Sequence, residues 1–214
     1  MLTLYWAPGT AAMAPHACLE EAGAEYELVR VRRQGYTPFE PADYLEVSPH
    51  GRIPGLRDGD LVLHESAAIC MHIADRFPEA GLMPPPGTPE RAHAYRWLTY
   101  LTNTLQATYQ FWYQTDRYVD DEDVRARVKA DLEPKLDLIY DWIDSELEGA
   151  TYLLGEQFSA ADLYLFMLTR WGRNLTRQAW SLPMLGDHYR RLSERPSVQA
   201  MLEQQGIDAF AARA

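Results

Sequence analysis

Two cysteines, Cys18 and Cys70, are all that this chain of 214 residues contains. Two separated thiols do not frame a disulfide scaffold, and they do not form a C-x-x-C redox or metal pair. Both fall in helical apolar patterns and read as small buried hydrophobes, and the cytoplasm is the expected compartment. No apolar run approaches the ~18 residues of a membrane span, so no membrane partner is expected. The start, Met1-Leu2-Thr3-Leu4-Tyr5-Trp6, lacks a basic region and reads as a first strand rather than a signal peptide. Six histidines are scattered without a metal-ligand spacing, so no metal is expected. No Walker or Rossmann glycine pattern occurs. The formal net charge of −11 sets nucleic acid aside as a general partner.

What is present suits a globular enzyme. Hydrophobic residues make up 47% and charged residues 24%, and the length allows one ordinary domain or two small ones. Residues 2–6 read as a strand, about Ala11 to Ala22 as a helix stopped by Gly23, and Tyr26 to Val31 as a second strand. Gln34 to Pro41 is a loop, with a short helix around Pro41–Glu46. Residues 78–89 carry Pro78, Gly81, Pro84, Pro85, Pro86, Gly87 and Pro89, the clearest linker in the chain. The expected division is therefore 1–78, a linker at 79–89, and 90–214. Beyond the linker strand signals vanish. One long aromatic helix is expected from about Thr88 to Asp116, with Trp97, Leu101, Leu105 and Trp112 on one stripe. A second is expected from about Glu122 to Leu147, bent at Pro134. Phe158-Ser159-Ala160-Ala161-Asp162-Leu163 reads as a capping box with a hydrophobic staple and is treated as structural. Helices near Met184–Glu194 and Ser197–Gln204 complete the set.

The most informative stretch is Val47–Ile73. Asp58-Gly59-Asp60 between two apolar runs is a hairpin signal. Leu61, Val62 and Leu63 form the second strand. Glu65-Ser66 falls where a helix begins, with Ala67, Ala68, Ile69 and Ile73 at helical spacing. A helix start offers free N–H groups and a positive dipole end to an anionic ligand group. Pro54, beside a hairpin, reads as an edge or cis-peptide position.

Ser48-Pro49-His50-Gly51-Arg52-Ile53-Pro54-Gly55-Leu56 and Glu65-Ser66-Ala67-Ala68-Ile69 resemble the glutathione-binding half of the glutathione S-transferase family. The resemblance extends to the C-terminal half by pattern and by the capping box. It implies an α/β N-terminal thioredoxin-like domain followed by an all-α C-terminal domain, and a homodimer. It implies a cis Pro54, with Ile53 pairing its backbone to the cysteinyl part of glutathione. Glu65 and Ser66 would hold the γ-glutamyl end, and Gln34 and Arg52 would receive the glycine carboxylate. For any single arginine, a solvated surface charge is the plainer alternative.

The co-substrate glutathione must react as a thiolate, which is a minor species near pH 7 for a free thiol of pKa ~8.5. The segment Tyr5-Trp6-Ala7-Pro8-Gly9-Thr10-Ala11-Ala12 resembles the bacterial beta-class version, with Ala11 at the position of the reactive Cys and Ala12 at that of the Ser. The remaining hydroxyls there are Thr10, the first choice as catalytic donor, and Tyr5, the second. Their structural alternatives are a plain helix cap for Thr10 and strand packing for Tyr5. Tyr109 and Tyr113, one helical turn apart, could line an apolar electrophile pocket or a dimer interface. The reading is a glutathione transferase whose second substrate is an apolar electrophile, a peroxide or a disulfide. The rival is a non-catalytic adaptor of the same fold that binds a protein partner, which the Ala11-Ala12 pair would suit.

Overall fold

The computed structural model describes residues 1–32 and 39–211. Chain contacts divide it into two units, Met1–Pro84 with Ser193–Ala209, and Pro85–Leu192 with the chain end from Phe210. The first unit ends inside the expected linker. The second departs from the expected 90–214, because the helix Pro196–Gln205 belongs with the N-terminal unit. The reason is local: Arg195 and Ser197 both donate to the Glu21 carboxylate, tying that helix's start to the end of the first helix.

The first unit is built on a four-stranded sheet in the order β2-β1-β3-β4, with β1 Leu2–Trp6, β2 Tyr26–Arg30, β3 Gly55–Asp58 and β4 Leu61–His64. β1 and β2 run parallel, joined by α1 (Met13–Glu21), with Leu2 opposite Tyr26. β3 is antiparallel to both β1 and β4. As the inner strand between β2 and β3, β1 is buried along nearly all its length. Gly59 takes φ +60° in the hairpin turn, as the Asp-Gly signal requires. α2 (Tyr44–Val47) lies on β3, and a Cβ on Gly55 would come within 2.5 Å of Val47 Cγ1, so only glycine permits that approach. α3 (Ser66–Arg76) packs against α1, as does the C-terminal helix Pro196–Gln205. This is the thioredoxin-like arrangement.

The second unit is helical among its described residues. The long aromatic helix is not one uniform element: α4 (Pro89–Tyr100) passes into a π-helical stretch, Leu101–Gln106, before α5 (Ala107–Tyr113). The side-chain spacing explains this. Trp97, Leu101, Leu105 and Tyr109 recur every fourth residue and are all buried. In an α-helix a strict four-residue spacing drifts about 40° per step. The wider π turn brings the row back onto one face. Tyr109, rather than the expected Trp112, completes the stripe.

α6 (Glu122–Glu146) covers nearly the expected span with Pro134 inside it, and is capped by Asp121 accepting from the Val124 N–H at 2.9 Å. Only its second half, from Leu136, is buried, and Val124 is exposed. α7 (Ala160–Trp171) begins with the capping box. Asp162 accepts from the Ser159 N–H at 2.8 Å, the Leu153 N–H at 2.8 Å and His188 Nε2 at 3.0 Å. α8 (Pro183–Ser193) completes this unit, and α9 (Pro196–Gln205) is the helix that joins the first.

Candidate active site

Two segments of the first unit, 55 residues apart, meet at a single hydrogen bond in which the Ser66 hydroxyl donates to the Ala11 carbonyl. Ser66 opens α3 and is buried. Glu65, at the cap position, has φ +74° and ψ +110° and is the only non-glycine residue with positive φ among those described. An L side chain there costs on the order of 1–3 kcal/mol, and such strain concentrates at ligand-binding positions. The turn leaves the Glu65 carboxylate exposed and without a protein partner among the described residues. It also leaves α3 with no side-chain cap, so its first N–H groups are open to an anion.

The other segment, 7–12, leads from β1 into α1. Gly9 takes φ +67°. The Thr10 hydroxyl donates to the Ala7 carbonyl at 2.7 Å, and the Met13 N–H reaches the Thr10 carbonyl at 3.1 Å. α1 therefore starts at Met13, two residues later than expected, with Ala12 at the cap position and no side-chain cap. The Thr10 hydroxyl hydrogen is thus held by the turn. The Ala11 N–H has no acceptor among the described residues.

Ile53-Pro54 is a cis peptide, as expected. The pairing of β3 with β1 ends at Gly55 opposite Tyr5, which leaves Ile53 just past the ladder with its backbone groups available. Arg52 is fixed through its backbone, its N–H donating to Ser48 Oγ at 3.1 Å and its carbonyl accepting from the Tyr44 hydroxyl. Its guanidinium makes no ion pair among the described residues, unlike Arg57, which approaches Glu46 at 3.9 Å.

The other expected residues are placed differently. Gln34 lies outside the described residues. Tyr5 sits in the cluster of Val31, Tyr44 and Val47, its ring 5.6 Å from that of Tyr44 and its oxygen accepting from Arg57 Nε at 3.2 Å. Alternation along β1 turns it to the α2 face, where it packs. Tyr109 is fully buried, and its expected pocket-lining role is corrected: it donates to the Tyr140 oxygen at 2.8 Å, and Tyr140 donates to the Leu168 carbonyl at 2.6 Å. Burial pushes both phenols well above their ordinary pKa. Tyr113 stacks on Tyr109 at 5.7 Å, gives its hydroxyl to the Trp171 carbonyl and remains partly accessible. Cys18 and Cys70 are buried, and desolvation, with Cys70 as neighbour, raises the Cys18 thiol well above its ordinary value.

The first unit thus carries an open helix start, an exposed carboxylate, a free backbone edge before a cis-proline and, at Arg52, a guanidinium with no ion pair among the described residues. Comparison with known proteins gives the family. The glutathione S-transferase N-terminal domain matches residues 1–75, and the C-terminal domain matches residues 110–196. Glutathione S-transferase GstA of Escherichia coli O157:H7 is 29% identical over 207 residues, covering 96% of this chain and 100% of that one. The probable glutathione S-transferase GSTF1 of Oryza sativa subsp. japonica is 31% identical over 193 residues, covering 86% and 87%. A solved structure of a sphingomonad glutathione S-transferase complexed with glutathione superposes with a TM-score of 0.85 at 29% identity, covering 96% and 100%.

The chain belongs to the glutathione S-transferase family. It is an enzyme of the glutathione-transferase type, and none of these likenesses favours the non-catalytic adaptor.

Proposed function

We propose that the protein binds glutathione in its first unit and presents the thiolate to an apolar electrophile, a peroxide or a disulfide. The observation that carries this is the Ser66–Ala11 hydrogen bond, which brings the Glu65-Ser66 helix start beside the loop that would face the thiol. In this reading the Glu65 carboxylate takes the γ-glutamyl ammonium. The first N–H groups of α3 take its carboxylate, and the Ser66 hydroxyl joins them as a donor by turning from the Ala11 carbonyl. Ile53 pairs with the cysteinyl backbone, and Arg52, with Gln34, receives the glycine carboxylate. Net acidity does not oppose this, because the attraction is local and Arg52 has no acidic partner among the described residues competing for it.

The thiol sulfur lies against the 7–12 loop. Lowering its pKa by two units requires about 2.7 kcal/mol of preferential thiolate stabilisation. The Ala11 N–H is the leading donor. Thr10 shapes the turn that aims it and supplies a second donor only by leaving Ala7. The thiol proton passes to solvent, the sulfur attacks the electrophilic centre, and the leaving group departs with the electron pair. With Ala11 at the beta-class Cys position, no mixed disulfide forms with an enzyme cysteine there. Tyr113 is the remaining aromatic candidate for the apolar co-substrate. A cytoplasmic homodimer completes the proposal, checked by sedimentation at micromolar concentration.

Calorimetric titration with glutathione tests the assignment. The wild type should bind, and the Glu65→Gln/Ser66→Ala variant should bind ~2–4 kcal/mol more weakly, from the loss of two charge-assisted contacts. Equal dissociation constants would overturn the placement of the γ-glutamyl end.

A further inference from the structure

The 7–12 loop has little to hold it from its own sequence. Its own side chains contribute Thr10, which donates to the Ala7 carbonyl at 2.7 Å and accepts from the Ala12 N–H at 3.4 Å, and the helix it enters lacks a side-chain cap. Longer-range holds include the Ser66 bond at Ala11 and, on the Gly9 side of the loop, a contact from the far end of the chain. Gln205, in the last turn of α9 and buried, accepts from the Gly9 N–H through Oε1 at 3.2 Å. The same amide's Nε2 lies 3.1 Å from His16 Nδ1.

The polarity of this link is fixed. A carboxamide NH2 can only donate, so His16 Nδ1 accepts and the imidazole proton is on Nε2. Nε2 lies 3.1 Å from the Tyr26 oxygen, and Tyr26 donates onward to the Glu20 carboxylate. His16 is fully buried, and burial lowers its pKa to about 4, so the ring is neutral near pH 7 and Nδ1 keeps its lone pair. Donation therefore runs one way, from Gly9 through Gln205, His16 and Tyr26 to a carboxylate. Turning the Gln205 amide over would set NH2 against the Gly9 N–H and oxygen against the His16 lone pair. The chain thus holds one amide orientation and, through it, one position of Gly9.

We infer that Gln205 is a positioning residue for the thiolate site, clamping Gly9 so that the Ala11 N–H and Thr10 are held where bound thiol can use them. The inference rests on the glutathione reading above. A displacement of about 1 Å at a reacting group can cost ~10²-fold in rate, so a clamp on the residue two before Ala11 has kinetic consequences.

The test compares Gln205→Leu with Val198→Ala, a buried α9 substitution outside the network. Gln205→Leu should raise the apparent pKa of the bound glutathione thiol, read from thiolate absorbance against pH, by about one unit, and should lower kcat by ~10-fold or more. Val198→Ala, matched for loss of thermal stability, should leave that pKa unchanged. If the leucine variant does not fold, Gln205→Asn, too short to reach Gly9, should give the same shift.

A wild-type pKa in Gln205→Leu or Gln205→Asn, or an equal shift in Val198→Ala, overturns the inference. Hydrogen exchange at the Gly9 amide in ligand-free protein separates this failure from that of the glutathione reading. Unchanged Gly9 protection in Gln205→Leu defeats the clamp alone, whereas a wild type that never shows bound thiolate defeats the glutathione reading.

Discussion

Three helix starts of the helical unit and the two beside the candidate site are treated in opposite ways. In the helical unit, α4, α6 and α7 begin with side chains that close their first turn: Thr88 accepts from the Arg91 N–H, Asp121 from the Val124 N–H, and Asp162 completes the box with Ser159. In the thioredoxin-like unit, α1 and α3 begin bare, at Ala12 and at the strained Glu65. A capped start stabilises its helix by roughly 1 kcal/mol and offers nothing to a ligand. A bare start forgoes that and leaves N–H groups and a positive dipole end for an anion. Side-chain caps are also missing at α2, α5 and α9, so a bare start alone does not mark a site; α1 and α3 are set apart by the Ser66–Ala11 bond that joins them.

The comparison breaks most visibly at Asp162. Its carboxylate is fully buried and accepts from Leu153, Ser159 and His188. Asp162→Ala leaves these donors unpaired in the interior and should cost ~3–5 kcal/mol, read from the urea midpoint. Glu65→Gln, at an exposed bare start, should move the same midpoint by no more than about 0.5 kcal/mol while weakening glutathione binding. If Asp162→Ala were mild and Glu65→Gln severe, the division into folding caps and functional starts would be wrong.

A smaller effect sharpens the contrast at the start of α1. His16 has its pKa lowered from 6.5 to about 4 by burial, partly opposed by Glu20. Between those values the unfolded chain binds the proton and the folded one does not. The stabilisation is therefore complete above about pH 6.5, falls as pH drops toward 4, and changes no further below that. The total is roughly 3 kcal/mol. Urea midpoints across that range should fall less steeply in His16→Gln than in the wild type. Identical slopes would mean that the ring is not held neutral and that the Gln205 link is not polarised as described.

These features were unequally legible in the sequence. The hairpin, the cis-proline position, Glu65-Ser66 and the capping box each rest on neighbours within about five residues, where turn chemistry and periodicity act. The π-helical stretch was not foreseen, because a strict four-residue spacing looks like an ordinary helix until the drift is followed across several turns. α9 was assigned to the wrong unit because its ties to Glu21 and Gly9 span more than 170 residues and leave no periodic trace. Gln205 was missed for the same reason. Tyr109 was misread because a tyrosine one turn from another signals a pocket and a buried stripe equally well. Its hydroxyl partner, Tyr140, lies on another helix.

The smallest expected effect bears on which groups make the thiolate. Cys18 and Cys70 face each other from α1 and α3 in the interior, away from either bare helix start, and burial holds Cys18 protonated. A protonated, enclosed thiol is neither a nucleophile nor an anion that could stabilise one. Cys18→Ala/Cys70→Ala should therefore leave kcat and the pKa of bound glutathione unchanged, at a stability cost of about 1 kcal/mol per site. Thr10→Val is the sensitive partner. Its hydroxyl is given to Ala7, so the thiolate loses loop order and an occasional second donor rather than its principal one. The bound thiol pKa should rise by about half a unit to one unit, less than in Gln205→Leu. If the cysteine variant folds but loses turnover while Thr10→Val does not, the nucleophile belongs to the protein, and the bare start of α1 has been assigned the wrong role.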